Sequence, residues 1–194
     1  MRVAIVKYNA GNTASVVNAL TRIGVESVVC DDAETLRQAD KVIFPGVGEA
    51  SSAMRYLRER KLDNVIKSLT QPVFGICLGM QLMCSDSEEN DTECLGIFSA
   101  RVRGFEPSNL KVPHTGWNTV HDLDSPLFAG VIDGEYLYFV HGYFVETGEQ
   151  RTATCDYGVR FAAAMDKDNF HAVQFHPEKS GTAGQCILEN FLKL

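Results

Sequence analysis

A cysteine with a glycine two residues away on either side is the chain's clearest chemical signal. Cys77 lies between Gly75 and Gly79, after a short apolar run at 73–76 and before a segment of helical character. This spacing between a strand and a helix is typical of a nucleophile elbow, whose tight turn excludes bulkier neighbours. The positive end of the following helix would favour a thiolate. A buried structural cysteine beside packing glycines is the alternative, but the strand-then-helix context favours a nucleophile.

A histidine and a glutamate follow the last apolar run before the C-terminal segment. His176 and Glu178 flank Pro177. Because side chains two residues apart face the same side of an extended chain, we expect these two to project together. A histidine steadied by a carboxylate supplies the base and the orienting group that a cysteine nucleophile requires. Alone, the motif is more typical of a surface pair, but together with Cys77 it predicts a catalytic triad.

A glycine-containing loop, Pro45-Gly46-Val47-Gly48, follows the third predicted strand and leads into a helix. Glycines leave the backbone free to turn an N–H group toward a ligand, and helix N-termini attract anions. Next to an elbow, the loop is a candidate for the second oxyanion donor. A plain turn between strand and helix is the alternative.

Two other stretches, 111–118 and 138–143, concentrate aromatic residues, histidine and glycine at predicted turns. The first contains Trp117, the chain's only tryptophan. A tryptophan in such a loop is either a core plug or an interface anchor, and the sequence leaves both open. No histidine has metal-ligand spacing with another, so we expect no metal site.

The elements that would position these residues alternate between strand and helix in the first half of the chain. This alternation predicts a three-layer α/β/α sandwich with a doubly wound, mostly parallel sheet, which binds ligands at the carboxyl ends of its strands. The predicted strands are 3–6, 25–30, 42–44 and 73–76, and the predicted helices are 13–23, 32–39, 49–69 with a break near Lys61, and 78–85.

The second half changes to strands and turns, which predicts an antiparallel extension of the sheet. The predicted strands are 98–105, 136–140, 152–155, 161–165 and 172–175, with a hairpin turn at 166–169. A closing helix at 180–192 has Ser180 as its candidate N-cap. Between the halves, the acidic stretch 86–93 is expected to be a solvated surface loop.

Composition indicates an ordinary globular protein. Its 194 residues, 45% hydrophobic and 22% charged, fit one domain over 1–194. A net charge of −7 without a Lys/Arg cluster argues against nucleic-acid or membrane-surface binding. The N-terminus lacks the apolar core of a signal peptide. The six scattered cysteines argue against zinc and disulfides and favour a cytoplasmic location.

These motifs resemble a known family. The sequences Gly-Ile-Cys-Leu-Gly-Met-Gln at 75–81 and Phe-His-Pro-Glu at 175–178 look like those of the class-I glutamine amidotransferases, which use a Cys-His-Glu triad. Within that class, four further stretches resemble the glutamine amidotransferase subunits of imidazole glycerol phosphate synthases, and they are 8–12, 44–48, 111–118 and 138–143. The resemblance covers essentially the whole chain. Thr115 and Gly142 depart from it, since methionine and serine are usual there.

The resemblance implies a glutaminase that hydrolyses L-glutamine to L-glutamate and ammonia without a cofactor. It implies a heterodimer with a (β/α)₈-barrel cyclase subunit, which uses the ammonia to make imidazole glycerol phosphate and aminoimidazole carboxamide ribotide in histidine biosynthesis. The resemblance assigns glutamine binding to Gly46, Gly48, Gln81, Gly142 and Tyr143, and the partner surface or ammonia path to Asn12, Pro113, His114, Trp117, Tyr138 and Lys179.

The expected mechanism begins with attack of the Cys77 thiolate on the side-chain amide of glutamine. The backbone N–H groups of Leu78 and Val47 would hold the oxyanion. His176 would protonate the leaving ammonia and then activate water, while Glu178 fixes its tautomer. Because glycines flank Val47, its peptide can turn over, which predicts an oxyanion hole that is completed only when the partner binds.

Three alternatives remain open at this point. A glutaminase subunit of another amidotransferase, such as anthranilate synthase, would share the elbow, although the loop at 45–48 argues against it. A stand-alone cysteine hydrolase would need no partner surface and would bury Trp117. A non-catalytic module with a structural or redox cysteine would show no unusual reactivity at Cys77.

Overall fold

The computed structural model describes residues 1–9, 11–106 and 110–194. Ala10, in the motif at 8–12, lies outside the described residues. The helices are α1 (Thr13–Arg22), α2 (Ala33–Gln38), α3 (Ala50–Glu59), α4 (Leu62–Lys67), α5 (Leu78–Met83) and α6 (Gly181–Lys193). The strands are β1 (Val3–Val6), β2 (Ser27–Cys30), β3 (Lys41–Gly46), β4 (Val73–Cys77), β5 (Asp86–Ser87), β6 (Thr92–Glu93), β7 (Arg101–Gly104), β8 (His114–Val120), β9 (Glu135–His141), β10 (Tyr143–Val145), β11 (Arg151–Tyr157), β12 (Val159–Lys167) and β13 (Phe170–Val173).

The central sheet has a parallel half in the order β2-β1-β3-β4-β13. Its strands are short apolar runs that are buried on both faces, as β1 and β4 are throughout. The order places the carboxyl ends of β3, β4 and β13 side by side, with Gly46 opposite Cys77 in the register. The three candidate motifs therefore meet at one edge of the sheet.

Helices cover both faces of this sheet. Along β1, Ile5 packs into one apolar cluster with Leu20 of α1 and Phe191 of α6. Its neighbour Val6 packs into a second cluster with Leu57 of α3, because successive side chains of a strand face opposite sides. The predicted three-layer α/β/α sandwich is confirmed.

The predicted antiparallel extension is also confirmed. β12 pairs antiparallel with β13, β11 and β10, and β10 pairs antiparallel with β7. β8 and β9 form a separate two-stranded antiparallel sheet, in which His114 lies opposite His141 and Trp117 opposite Tyr138. The break near Lys61 is confirmed as well, since this residue has φ 58° between α3 and α4.

Several sequence-based expectations were wrong. Trp117 lies in strand β8 rather than in a loop, because the pairing of β8 with β9 runs from His114 to Val120 without a break at Gly116. The acidic stretch 86–93 is a β5–β6 hairpin, and Glu88 in it accepts hydrogen bonds from Arg103 and from the Gly104 backbone. Two of its charges, Asp86 and Glu88, are therefore paired with β7. The strand expected at 98–105 shortens to Arg101–Gly104.

Ser180 is the N-cap residue of α6, as expected, but its side chain makes no capping hydrogen bond to the helix. Its hydroxyl donates to the His176 carbonyl at 2.7 Å and accepts from the Tyr138 backbone N–H at 3.0 Å. The side chain therefore ties β9 to the segment that carries the histidine. Of the helices in the described ranges, none is long and apolar enough to cross a membrane.

Candidate active site

The backbone at Cys77 has the strained conformation of a nucleophile elbow. Cys77 has φ 54° and ψ −110°, where L-residues are rare, and it is the last residue of β4 before α5. The following residue, Leu78, is the first of the helix, so the first unpaired N–H groups lie next to the sulfur. Strain at the junction of a buried strand and a helix is the geometry that the sequence predicts.

The two flanking glycines are required by close packing. A Cβ atom at Gly79 would lie 1.8 Å from the carbonyl oxygen of Phe44, and one at Gly75 would lie 2.9 Å from the sulfur of Met83. Gly79 cannot accept a side chain without a shift of the backbone, and at Gly75 the Met83 side chain would have to move. These two glycines therefore allow β3 and β4 to pack closely against α5 at the turn.

His176 and Glu178 form a buried pair. His176 Nδ1 lies 2.8 Å from Glu178 Oε1, and both side chains are 2% exposed. The two residues project together because 177–179 forms a 3₁₀ turn, and not because the chain is extended there, as was expected. His176 Nε2 and Glu178 Oε2 are buried without a hydrogen-bond partner within the described ranges. Nε2 is thus free for proton transfer.

The charge state of His176 depends on Cys77. Burial acts to lower the pKa of the imidazole, but the interactions with a Cys77 thiolate, and then with Glu178, act in the opposite direction and raise the pKa to about 10. At neutral pH His176 is therefore an imidazolium. A thiolate can attack a carbonyl carbon, and an imidazolium can protonate a leaving group.

A cavity of about 310 Å³ opens over Cys77. Seven predicted site residues line it, and they are Val47, Gly48, Cys77, Leu78, Gln81, Gly142 and Tyr143. Gly46 does not line the cavity, since it is packed beneath, where a Cβ atom would lie 2.1 Å from the Tyr8 hydroxyl. Pro113 lines it too, although the resemblance assigns this residue to the partner side.

Tyr8 supports the loop that carries Val47. Its hydroxyl donates to the Pro45 carbonyl at 2.8 Å, and its ring packs against Phe44 at 5.3 Å between centroids. Burial, and then the nearby Cys77 charge, raise the pKa of Tyr8 well above its usual value. The phenol is therefore a neutral hydrogen-bond donor beneath the loop.

Sequence reasoning missed Glu89. This residue lines the cavity, and its Oε2 accepts a hydrogen bond of 2.7 Å from the Ala50 backbone N–H at the start of α3. Burial raises the pKa of its carboxyl. Of the described residues that line the cavity, Glu89 alone carries a carboxylate. The acidic run at 86–93 was the only signal, and it did not show which carboxylate turns inward.

Two buried histidines lie beside the cavity, and one of them, His141, lines it. His114 Nδ1 lies 2.9 Å from His141 Nε2, and His141 Nδ1 lies 2.7 Å from the Tyr143 carbonyl. Because a carbonyl only accepts, His141 must donate from Nδ1 and accept from His114. Burial lowers the pKa of His114 to about 4 and that of His141 to about 3, so both are neutral. His114 is buried, so its side chain does not reach the surface where a partner contact was expected.

The remaining residues of the expected partner surface are more exposed. Trp117 is 54% exposed, and its ring meets that of Tyr138 edge-on at 5.9 Å. Lys179 Nζ lies 5.9 Å from the centroid of the Tyr138 ring. Asn12 caps α1, where its side-chain oxygen accepts from the Ser15 backbone N–H. The structure therefore groups Trp117, Tyr138 and Lys179 beside the catalytic pair.

The chain is similar to known proteins along its whole length. Residues 4–194 match the family described as "Glutamine amidotransferase class-I". The imidazole glycerol phosphate synthase subunit HisH of Bacteroides fragilis is 57% identical, and that of Bacteroides thetaiotaomicron is 55% identical, each over 100% of both chains. The solved structure of PurLQS from Thermotoga maritima has a TM-score of 0.73 at 17% identity, covering 99% of this chain and 97% of that one.

The solved structure shows a shared fold, whereas the two HisH relatives show close kinship along the full length of the chain. The chain belongs to the class-I glutamine amidotransferase family, among the HisH subunits of imidazole glycerol phosphate synthase.

Proposed function

We propose that this chain is the glutaminase subunit of an imidazole glycerol phosphate synthase. It hydrolyses L-glutamine to L-glutamate and ammonia, and the ammonia passes to a (β/α)₈-barrel cyclase subunit. That partner makes imidazole glycerol phosphate and aminoimidazole carboxamide ribotide in histidine biosynthesis. The observation that carries the proposal is Cys77 on a strained elbow beside the buried pair His176–Glu178, in a chain 57% identical to a HisH subunit.

The first half-reaction forms a thioester. The Cys77 sulfur attacks the amide carbon of the glutamine side chain, and the carbonyl electron pair moves to oxygen. The N–H groups of Leu78 and Val47 stabilise this oxyanion; loss of one such donor typically raises the barrier by about 2.7–4 kcal/mol. The C–N bond then breaks as imidazolium His176 gives its proton to the nitrogen, which releases ammonia.

The second half-reaction returns the enzyme to its starting state. Neutral His176 takes a proton from water, and the resulting hydroxide attacks the thioester carbon. The C–S bond breaks, glutamate leaves, and the electron pair returns to the sulfur. Glu178 holds Nδ1–H throughout, so Nε2 is always the nitrogen that exchanges the proton.

Glutamine recognition is assigned to the cavity that contains Cys77. Glu89 suits the α-ammonium group of the substrate, because it is a carboxylate in a partly buried site. Gln81, Gly142 and Tyr143 complete the cradle. A Cβ atom at Gly142 would meet only Val112 at 3.9 Å, so the absence of serine there leaves the backbone groups of the cradle in place.

The cyclase is assigned to the surface around Trp117, with Asn12 and Pro113 at its margin and with Tyr138 and Lys179 along the ammonia path. Trp117 is exposed and meets the Tyr138 ring edge to face, as suits an interface anchor. This exposure does not suit a stand-alone hydrolase, which was expected to bury Trp117. The relatives at 55–57% identity are HisH subunits, which disfavours an anthranilate synthase subunit.

The proposed setting is a single glutamine amidotransferase domain over 1–194 in the cytoplasm. All six cysteines are free, which suits a reducing compartment. The family match over residues 4–194 supports one domain.

The test measures ammonia release from glutamine by the chain alone, with a cyclase subunit, and with the cyclase plus its nucleotide substrate. We expect slow turnover alone and a strong increase with partner and nucleotide, because the Val47 peptide completes the oxyanion hole on binding. Equal rates in all three mixtures would exclude partner gating. Cys77→Ser should abolish turnover in every mixture, and a variant that keeps its activity would overturn the nucleophile assignment.

A further inference from the structure

Two glutamine side chains form a buried chain of hydrogen bonds that ends at the Cys77 sulfur. Gln81 Nε2 donates to the Tyr143 carbonyl at 2.8 Å and to Gln174 Oε1 at 2.9 Å. Gln174 Nε2 in turn lies 3.7 Å from Cys77 Sγ. Gln174 is completely buried, in the short segment between β13 and His176. The mechanism described above does not use it.

The direction of this chain is fixed by the backbone. A carbonyl oxygen can only accept a hydrogen bond, so the Gln81 atom that faces Tyr143 must be nitrogen. The same nitrogen faces Gln174, which must therefore present its oxygen to Gln81. The amide nitrogen of Gln174 then has to point at Cys77. Turning the Gln174 amide over would set two donors face to face and direct a carbonyl oxygen at the sulfur.

A second group near the sulfur, the Val140 carbonyl, suits the thiol form of Cys77. Val140 presents its carbonyl oxygen 3.7 Å from Cys77 Sγ, where it accepts a hydrogen bond from the thiol. A thiolate has no proton to give and instead requires donors. Gln174 is a neutral donor that is present whether or not His176 is charged.

The other titratable groups around the sulfur come from five segments, one of which is β10 with Tyr143 in the cavity lining. His176 follows β13, and the interaction with Cys77 raises its pKa. Tyr8 follows β1 and is neutral, as is His141 at the end of β9. Glu89 of the β5–β6 hairpin lines the same cavity. Gln174 is therefore the side chain next to the sulfur whose donor capacity does not change with pH.

We propose that Gln174 is a catalytic residue, whose amide N–H donates a hydrogen bond to the Cys77 thiolate in an orientation set by Gln81 and the Tyr143 carbonyl. This assignment rests on the proposed glutaminase function. The bond stabilises the thiolate before attack and weakens as the S–C bond forms and charge moves to the substrate oxygen. It forms again when the C–S bond of the thioester breaks and the electron pair returns to sulfur.

The test is the pH dependence of Cys77 alkylation by iodoacetamide, a reaction that needs no glutamine. Gln174→Met keeps the length of the side chain but removes the donor. Because hydrogen bonds to charged groups are among the stronger ones, we expect the midpoint of the alkylation profile to rise by about one pH unit. Mass spectrometry of the Cys77 peptide separates this reaction from that of the other five cysteines.

A second variant keeps the test decisive if Gln174→Met does not fold. Gln81→Met leaves Gln174 in place but frees its amide to turn, so the midpoint should rise by a smaller amount. Asn190→Leu is the matched control, because Asn190 is a buried amide that binds two backbone carbonyls in another part of the molecule. Its loss should lower the thermal midpoint without moving the alkylation profile.

The outcomes separate this inference from the proposed function. Folded Gln174 and Gln81 variants with the wild-type alkylation midpoint would overturn the role of Gln174, even if the wild type hydrolyses glutamine. A shift of equal size in the Asn190 control would also overturn it, because the effect would then be one of stability. A wild-type protein that alkylates at Cys77 but releases no ammonia with its cyclase would refute the glutaminase function instead.

Discussion

The charge states of the histidines around Cys77 depend on their burial and on their neighbours. His176 and Glu178 would be an unremarkable ion pair on a surface, where such pairs contribute little. Here both are buried, and the interactions with Cys77 and then with Glu178 raise the pKa of the imidazole to about 10. The same burial makes His141 neutral, because its partners are a carbonyl and another histidine. Neighbouring groups, rather than residue type, decide which histidine carries charge.

At this scale, Glu89→Gln should raise the KM for glutamine about 10- to 100-fold with kcat nearly unchanged. The carboxylate would bind the α-ammonium group equally in the ground state and the transition state, and a charged hydrogen bond is worth about 1.5–3 kcal/mol. Steady-state ammonia release with the cyclase present measures both constants. Glu93→Gln on the same hairpin is the control, because Glu93 is exposed and pairs with Arg58. An unchanged KM in the Glu89 variant would contradict the role.

At the scale of elements, the strand–elbow–helix unit positions the nucleophile, and its tolerances are narrow. Gly79→Ala should destabilise the protein by about 1–3 kcal/mol or more and reduce activity, because the new Cβ atom would overlap the Phe44 carbonyl. Urea unfolding gives the free energy, and Gly148→Ala is the control, since nothing lies within 4 Å of a Cβ atom there. Equal stability of the two variants would show that the elbow can relax.

The pairing of β8 with β9 buries His114 and His141. Their burial makes the stability of the fold depend on pH. Their folded pKa values, about 4 and about 3, lie below the unfolded value of about 6.5. Below pH 6.5 the unfolded state therefore binds protons that the folded state does not. The free energy of unfolding should fall with acidification, by up to about 1.4 kcal/mol per pH unit for each histidine.

His114→Gln should weaken this acid sensitivity, because glutamine binds no proton in either state. Urea unfolding at about pH 7 and about pH 5 measures the change. His121→Gln, at an exposed position beside Asp133, is the matched variant. If the His114 variant loses as much stability in acid as the wild type does, the buried pair is not responsible.

The sequence predicts local features well and features that depend on distant pairing poorly. The elbow was predictable because a strand, two glycines and a helix are adjacent in the chain. Glu89 was not, because its direction depends on a hairpin that pairs with β7. The strand at Trp117 was missed for a similar reason, since only the register with Tyr138 makes that segment a strand. Gln174 directly precedes the motif at 175–178, but its donor role depends on Gln81, 93 residues earlier.

At the scale of the molecule, the carboxyl edge of the parallel strands lies next to the β8–β9 sheet. His176 N–H donates to the Tyr138 carbonyl at 2.8 Å, which links the catalytic segment to the strand that carries the exposed aromatics. The tyrosine ring in turn lies between Trp117 and Lys179. A partner that covers Trp117 would therefore contact an element that is one hydrogen bond from the catalytic base.

Trp117→Ala should consequently weaken cyclase binding by about 30-fold or more, since buried tryptophan anchors commonly contribute at least 2 kcal/mol. Because Trp117 is already half exposed in the free chain, the thermal midpoint of the Trp117→Ala variant should differ little from that of the wild type. Titration calorimetry gives the Kd, and ammonia release at saturating cyclase shows whether activation survives once the complex forms. Val28→Ala is the control, because Val28 is an exposed apolar residue on β2. If Trp117→Ala binds the cyclase as tightly as Val28→Ala does, the partner surface lies elsewhere. If binding weakens but full activation returns at saturation, Trp117 anchors the partner without transmitting its effect to Cys77.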